Sequence, residues 1–132
     1  MRVNRVPDWM VRLDELVRAR ATEPYTWGQY DCCTLVADVV LAITDVDHLA
    51  ELRGTYSTMA EAYRLLGRHG GLAVAITARL GEPLPVGLAQ VGDIGISGTA
   101  AVFFGGDCWL GQADVGLTPV PAPALIWRCT GV

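Results

Sequence analysis

The spacing of apolar residues changes at Val91, and that change limits the fold more than any other feature of the chain. Before it, the spacing is helical. Trp9, Leu13, Leu16 and Val17 share one face behind Pro7 and Asp8, a favourable helix opening. Pro24 disfavours helical geometry just before itself, so this helix ends in "ATEPY". A second helix is predicted from near Asp31 to about Ile43. Asp31 is its N-cap, and Leu35, Val36, Val39, Val40 and Ile43 form a broad apolar face. "TDVDHLAELRG" reads as a turn and a short helix stopped by Gly54. "STMAEAYRLLGRHGG" carries Thr58 and Glu61 at capping-box spacing, and "GLAVAITARLGEP" is a further short helix closed by Gly81 and Pro83.

After Val91 the segments are short, β-rich and separated by glycine, aspartate or proline: "VGDIGIS", "AAVFFGG", "CWLGQ", "VGLTPV" and "ALIWRC". Helices followed by an antiparallel sheet make an α+β plan. The 132 residues are expected to form one domain, with a helical part over about 7–81 and a sheet part over about 91–129.

Composition narrows the function. The net charge of −4, with ten scattered Lys and Arg, offers nucleic acid no basic surface. No apolar run approaches the roughly 18 residues of a membrane span, and "LVADVVLAI" is interrupted by Asp38. The opening "MRVNRVPDWMVRLDELV" is charged throughout and lacks a secretory core, so action outside the cytoplasm would need another carrier. A 52% hydrophobic content beside only 18% charged residues is more than a domain of this size needs inside, and part of it is expected to face a partner.

Four cysteines, Cys32, Cys33, Cys108 and Cys129, are too sparse for a disulfide framework, and without a C-x-x-C pair they form no recognisable metal motif. Four thiolates meeting in space would be a third kind of site, but the expectation is no metal and no cofactor. Cys32 has the more reactive position. In the first turn of a helix, unpaired N–H groups and the helix dipole favour the thiolate. Cys33 points about a third of a turn away and is expected to pack inward, as buried free cysteines such as Cys108 and Cys129 commonly do. Trp9, Trp27, Trp109 and Trp127 read as core or interface anchors.

The string Tyr25-Thr26-Trp27-Gly28, then Asp31-Cys32-Cys33-Thr34-Leu35-Val36, resembles the nucleophile segment of the NlpC-type, papain-like cell-wall cysteine peptidases. Val91-Gly92-Asp93-Ile94 resembles their Pro-Gly-Asp-Leu step into the sheet. Thr99-Ala100-Ala101-Val102-Phe103-Phe104-Gly105 resembles their His-Val-Gly-Ile-Tyr-x-Gly strand. The likeness runs from residue 24 to about 112, in the family's order. A nearer likeness is to small tailed-phage and prophage tail proteins with "WGxxDCC", a following "LRGxY" (here Leu52 to Tyr56) and a C-terminal "WR" (Trp127-Arg128).

The resemblance implies a papain-like fold with N-terminal helices packed on a C-terminal sheet. It implies Cys32 as nucleophile, Tyr25 and Asp31 at the substrate end, and Gln112 at the third polar position, without a cofactor. In such enzymes a histidine from the sheet takes and returns the proton. Aligned on Gly105, that position falls on Thr99, or on Ala100 with a shift of one, and neither can act as a base near neutrality. The chain's two histidines, His48 and His69, lie in the helical part and read as surface residues, His69 as a helix cap. Cys33 stands where the enzymes have serine.

The reading is therefore a tail-tip or tail-assembly component, a catalytically degenerate member of the fold, made in the host cytoplasm and carried in the virion. It would act through contacts with other tail-tip or hub proteins. The alternative is an active cysteine peptidase cutting peptidoglycan stem peptides as phage DNA is injected.

Overall fold

The computed structural model describes residues 5–129. Four helices precede or flank a six-stranded sheet: α1 (Trp9–Arg20), α2 (Cys32–Thr44), α3 (Met59–Arg68) and α4 (Leu72–Leu80), then β1 (Leu84–Pro85), β2 (Ile94–Ser97), β3 (Ala100–Phe104), β4 (Trp109–Gln112), β5 (Leu117–Val120) and β6 (Leu125–Trp127). The sheet order is β1-β6-β2-β3-β4-β5 and every pairing is antiparallel. The α+β plan and all five expected strands are present.

Two local expectations need correction. The segment after α2 forms turns and no helix. The Asp47 carboxylate accepts the Leu49 N–H at 3.0 Å and pairs with Arg53 Nε at 2.9 Å, so its side chain competes with helical bonding. Arg53 also reaches back to Asp38 on α2 at 2.7 Å, and that tertiary pull fixes the turn. The sheet also starts earlier than expected, because Leu84–Pro85 pairs with β6. A two-residue strand carrying a proline gives no periodic signal. Both edge strands hold a proline, Pro85 and Pro119, which lack an N–H to offer another chain.

Helix α2 is the centre of the molecule. Leu35, Val39, Val40 and Ile43 pack on Ala101 and Phe103 of β3, with Ile94, Trp127 and Leu13 completing one core. Val102, on the opposite face of β3, joins Trp109 and Ile126 in a second cluster. This explains why β3 reads as an unbroken apolar run: it is covered on both faces. Gly95 of β2 is required by that second layer, since a Cβ there would lie 2.5 Å from Pro123 Cγ. On the sheet's helical side, Trp127 Nε1 donates to Thr77 Oγ1 of α4 at 3.0 Å. Among the described residues no helix is long and apolar enough to cross a membrane.

Three elements are locked together by one buried arginine. Arg20, 1% exposed, donates to Asp38 Oδ2 at 2.8 Å, to Thr34 Oγ1 at 3.2 Å and to Gln112 Oε1 at 2.7 Å. It thereby ties α1 to α2 and β4. Arg20→Met would leave Gln112 Oε1 and one Asp38 oxygen without a partner, although Arg53 still holds the other Asp38 oxygen. The expected loss is about 3 kcal/mol, the low end for breaking a buried ion pair, read as a shift in the urea midpoint at constant slope.

Candidate functional site

The turn that delivers Cys32 is built around the Asp31 carboxylate. As N-cap of α2, Asp31 accepts the Thr34 N–H at 2.8 Å, while Thr34 Oγ1 accepts the Asp31 N–H at 2.9 Å. Its second oxygen takes the Gly28 N–H at 2.8 Å and the Tyr56 hydroxyl at 2.7 Å. Gly28 has φ of 85°, and a Cβ there would collide with the Tyr56 carbonyl, so only glycine fits this turn. The expected cap is therefore present, and it also anchors a distant tyrosine.

Cys32 occupies the first helical position with Cys33 beside it, both half-buried. Interaction with the adjacent Cys33 thiol contributes most to favouring a Cys32 thiolate. Burial opposes it, and the nearby Ala101 backbone N–H of β3 further favours the ionised sulfur. The outcome is a Cys32 pKa lowered to about 7. Cys33 moves the opposite way, chiefly through its interaction with Cys32, and burial reinforces this. The pair thus shares one readily lost proton, with ionisation favoured at Cys32. Cys129 is buried and pushed up to about 12 by desolvation, which makes it inert.

Tyr25 is fixed beside this pair. Its backbone N–H donates to Asp114 O at 2.7 Å, linking the pre-helix loop to the turn after β4. Its ring packs edge-on to Trp27 at 4.8 Å. Burial, then the nearby Cys32, raises its phenol pKa, so the hydroxyl stays a donor.

Both sulfurs open onto a cleft of about 220 Å³ between α2, α3, α4 and the rim of the sheet. Its walls are mostly apolar, with Val36, Val40, Leu49, Leu66, Leu72 and Ile76 prominent. The sequence-predicted residues Tyr25, Asp31, Cys32, Thr99 and Gln112 all line it, so the fold gathers them in one place. Their roles differ. Asp31 is 1% exposed, with its oxygens occupied by the cap and Tyr56, and it holds the turn. Gln112 presents its oxygen to Arg20 and its amide to Ala113 O and Gly116 O, which leaves it bound in the scaffold. Thr99 is exposed on the tight β2–β3 turn, and Ala100 follows it in the strand.

Three further polar residues reach the cleft unannounced by the sequence. His48 and His69, read above as surface residues, are half-buried and line the same cavity. His69 is the C-cap of α3, as expected, with Nδ1 3.0 Å from Leu65 O. His48 Nε2 is buried without a hydrogen-bond partner. Arg79 of α4 also lines the cleft, and its charge favours ionisation of Cys33. No local pattern marks any of the three, because the walls they join come from different elements. Cys108 and Cys129 lie away from the cleft. Among the described residues no group of three or more His, Cys, Asp or Glu side chains is placed to hold a metal ion.

These features define a small α+β domain with a paired-thiol site at the start of its central helix. A family model described as a domain of unknown function, DUF6950, matches residues 4–129, and the chain belongs to that family. No curated protein and no solved structure matches the chain.

Alkylation against pH reads the sulfurs directly. Iodoacetamide should label Cys32 with a midpoint near pH 7, and Cys33 should lag throughout. Cys33→Ala removes the adjacent thiol and should move the Cys32 midpoint up by about one unit. An unmoved midpoint would show that the helix start and the Ala101 N–H suffice alone.

Proposed function

We propose that this chain is a papain-like, NlpC-type domain that has lost peptidase chemistry and serves as a tail-tip or tail-assembly component of a tailed phage, acting through protein contacts. One observation carries the reading. At the position where the enzymes carry their histidine the cleft has Thr99 of the β2–β3 turn and Ala100 of β3, and what the next residue, Ala101, offers the sulfur is a backbone N–H. Peptide cleavage needs a group that can protonate the departing amine, and none of these three can. Exposed Met59 and Tyr63 on α3 and Val74 on α4, the helices that wall the cleft, support a contact role. The phage assignment itself rests on the "WGxxDCC", "LRGxY" and "WR" strings.

A second reading is favoured by His48, whose buried Nε2 has no partner in the cleft that holds Cys32. It makes the chain an active peptidase of peptidoglycan stem peptides with its base drawn from the helical side.

Purified cell wall separates the two. Under the first reading, the protein releases no more soluble stem peptide than Cys32→Ala does, and purified virions contain the chain in their tails. Release that is lost in both Cys32→Ala and His48→Gln would establish the second. Virions lacking the chain, with no release from cell wall, would refute both.

A further inference from the structure

A thiolate without an acid–base partner is poorly suited to amides but well suited to thioesters. The departing group of a thioester is itself a thiolate, which leaves without being protonated, so the histidine that peptide cleavage demands is unnecessary. From the geometry of the paired sulfurs and the apolar cleft, we propose that Cys32 accepts acyl groups from acyl thioesters, with the acyl chain lying in the cleft between α2, α3 and α4. The Cys32 sulfur attacks the thioester carbonyl, the new Cys32 S–C bond forms and the old C–S bond breaks. The leaving thiolate then takes a proton from water. The net exchange is one thiol and one thioester for another thiol and thioester, with no oxidant or reductant.

The cavity selects the substrate. It offers about 220 Å³, against roughly 30 Å³ per molecule of liquid water, which is room for a chain and far more than an acetyl group fills. Its lining by Val36, Val40, Leu66 and Ile76 rewards methylenes and offers little to a polar thiol such as glutathione. Two groups stand at the reacting end. The Cys33 thiol favours ionisation of the attacking sulfur beside it, and the Tyr25 hydroxyl, held protonated by burial, lines the same cleft. Cys108 and Cys129 have neither this cavity nor these groups, so transfer is confined to Cys32. This chemistry goes beyond the tail-component reading and does not depend on it.

Octanoyl-coenzyme A and acetyl-coenzyme A are the probes, each incubated with the full chain near pH 7.5 and followed by intact mass, with peptide mapping and release by hydroxylamine. Each methylene buried favours binding by roughly fourfold, so the octanoyl adduct should form at least about tenfold faster than the acetyl adduct and map to Cys32. Cys32→Ser should abolish it. Ala75→Phe, which narrows the cleft from α4, should shrink the octanoyl-to-acetyl ratio. If that variant unfolds by circular dichroism, the wild-type ratio alone decides. Equal rates for the two probes, labelling shared with Cys108, or no adduct would overturn the proposal. A mixed disulfide on incubation with oxidised glutathione, without any acyl adduct, would overturn it in favour of redox exchange. None of these failures bears on whether the chain sits in a virion tail.

Discussion

The Asp31 carboxylate is the constraint on which the site depends. A buried carboxylate is costly unless its oxygens are occupied, and this one accepts two backbone N–H groups and a phenol. Those donors come from three places: the Trp27-Gly28 turn, the first turn of α2 and the loop before α3. By drawing them to one point, Asp31 fixes where α2 begins and therefore where the Cys32 sulfur stands. It also explains why "WGxxDCC" and the tyrosine of "LRGxY" occur together. The glycine donates, the aspartate accepts, and the tyrosine caps the same oxygen from 25 residues away.

Around this point the molecule is tied by a second polar network and two apolar layers. Arg20 joins α1, α2 and β4, while Asp38 and Asp47 hold Arg53 and pin the turns after α2. Just before β2, the buried Asp93 carboxylate accepts the Gln90 and Cys129 N–H groups and pairs with Arg128 at 3.1 Å, closing the entry to β2 onto the segment after β6. Such networks add little net stability compared with apolar packing, but each removes an alternative arrangement, because an unpaired buried charge is heavily penalised. The frame that results sets two adjacent cysteines at the wall of an apolar cavity. That combination suits binding and thioester exchange better than amide hydrolysis.

The sequence made much of this readable, and the failures are informative. The Asp31 and Thr58 caps, the helical faces and the five main strands were legible because each rests on contacts within a few residues or on a repeating period. The helix expected across "TDVDHLAELRG" did not form, since Arg53 answers to Asp38 on another element. Strand β1 went unseen because its partner, β6, lies some 40 residues on and two residues cannot show a period. Gln112 was legible as a polar residue near the site but not as a ligand of Arg20, 92 positions away.

By itself, then, the chain's order determined an α+β domain with a capped central helix and a cysteine in that helix's first turn, all consequences of local hydrogen bonding and apolar spacing. Only the tertiary structure decided what that cysteine faces. The Ala101 N–H against its sulfur, the Tyr56 hydroxyl on Asp31, and the arrival of His48, His69 and Arg79 at one cleft all depend on chain segments brought together by packing. Side chains that meet across elements leave no periodic trace, because the forces that join them act through space and not along the chain.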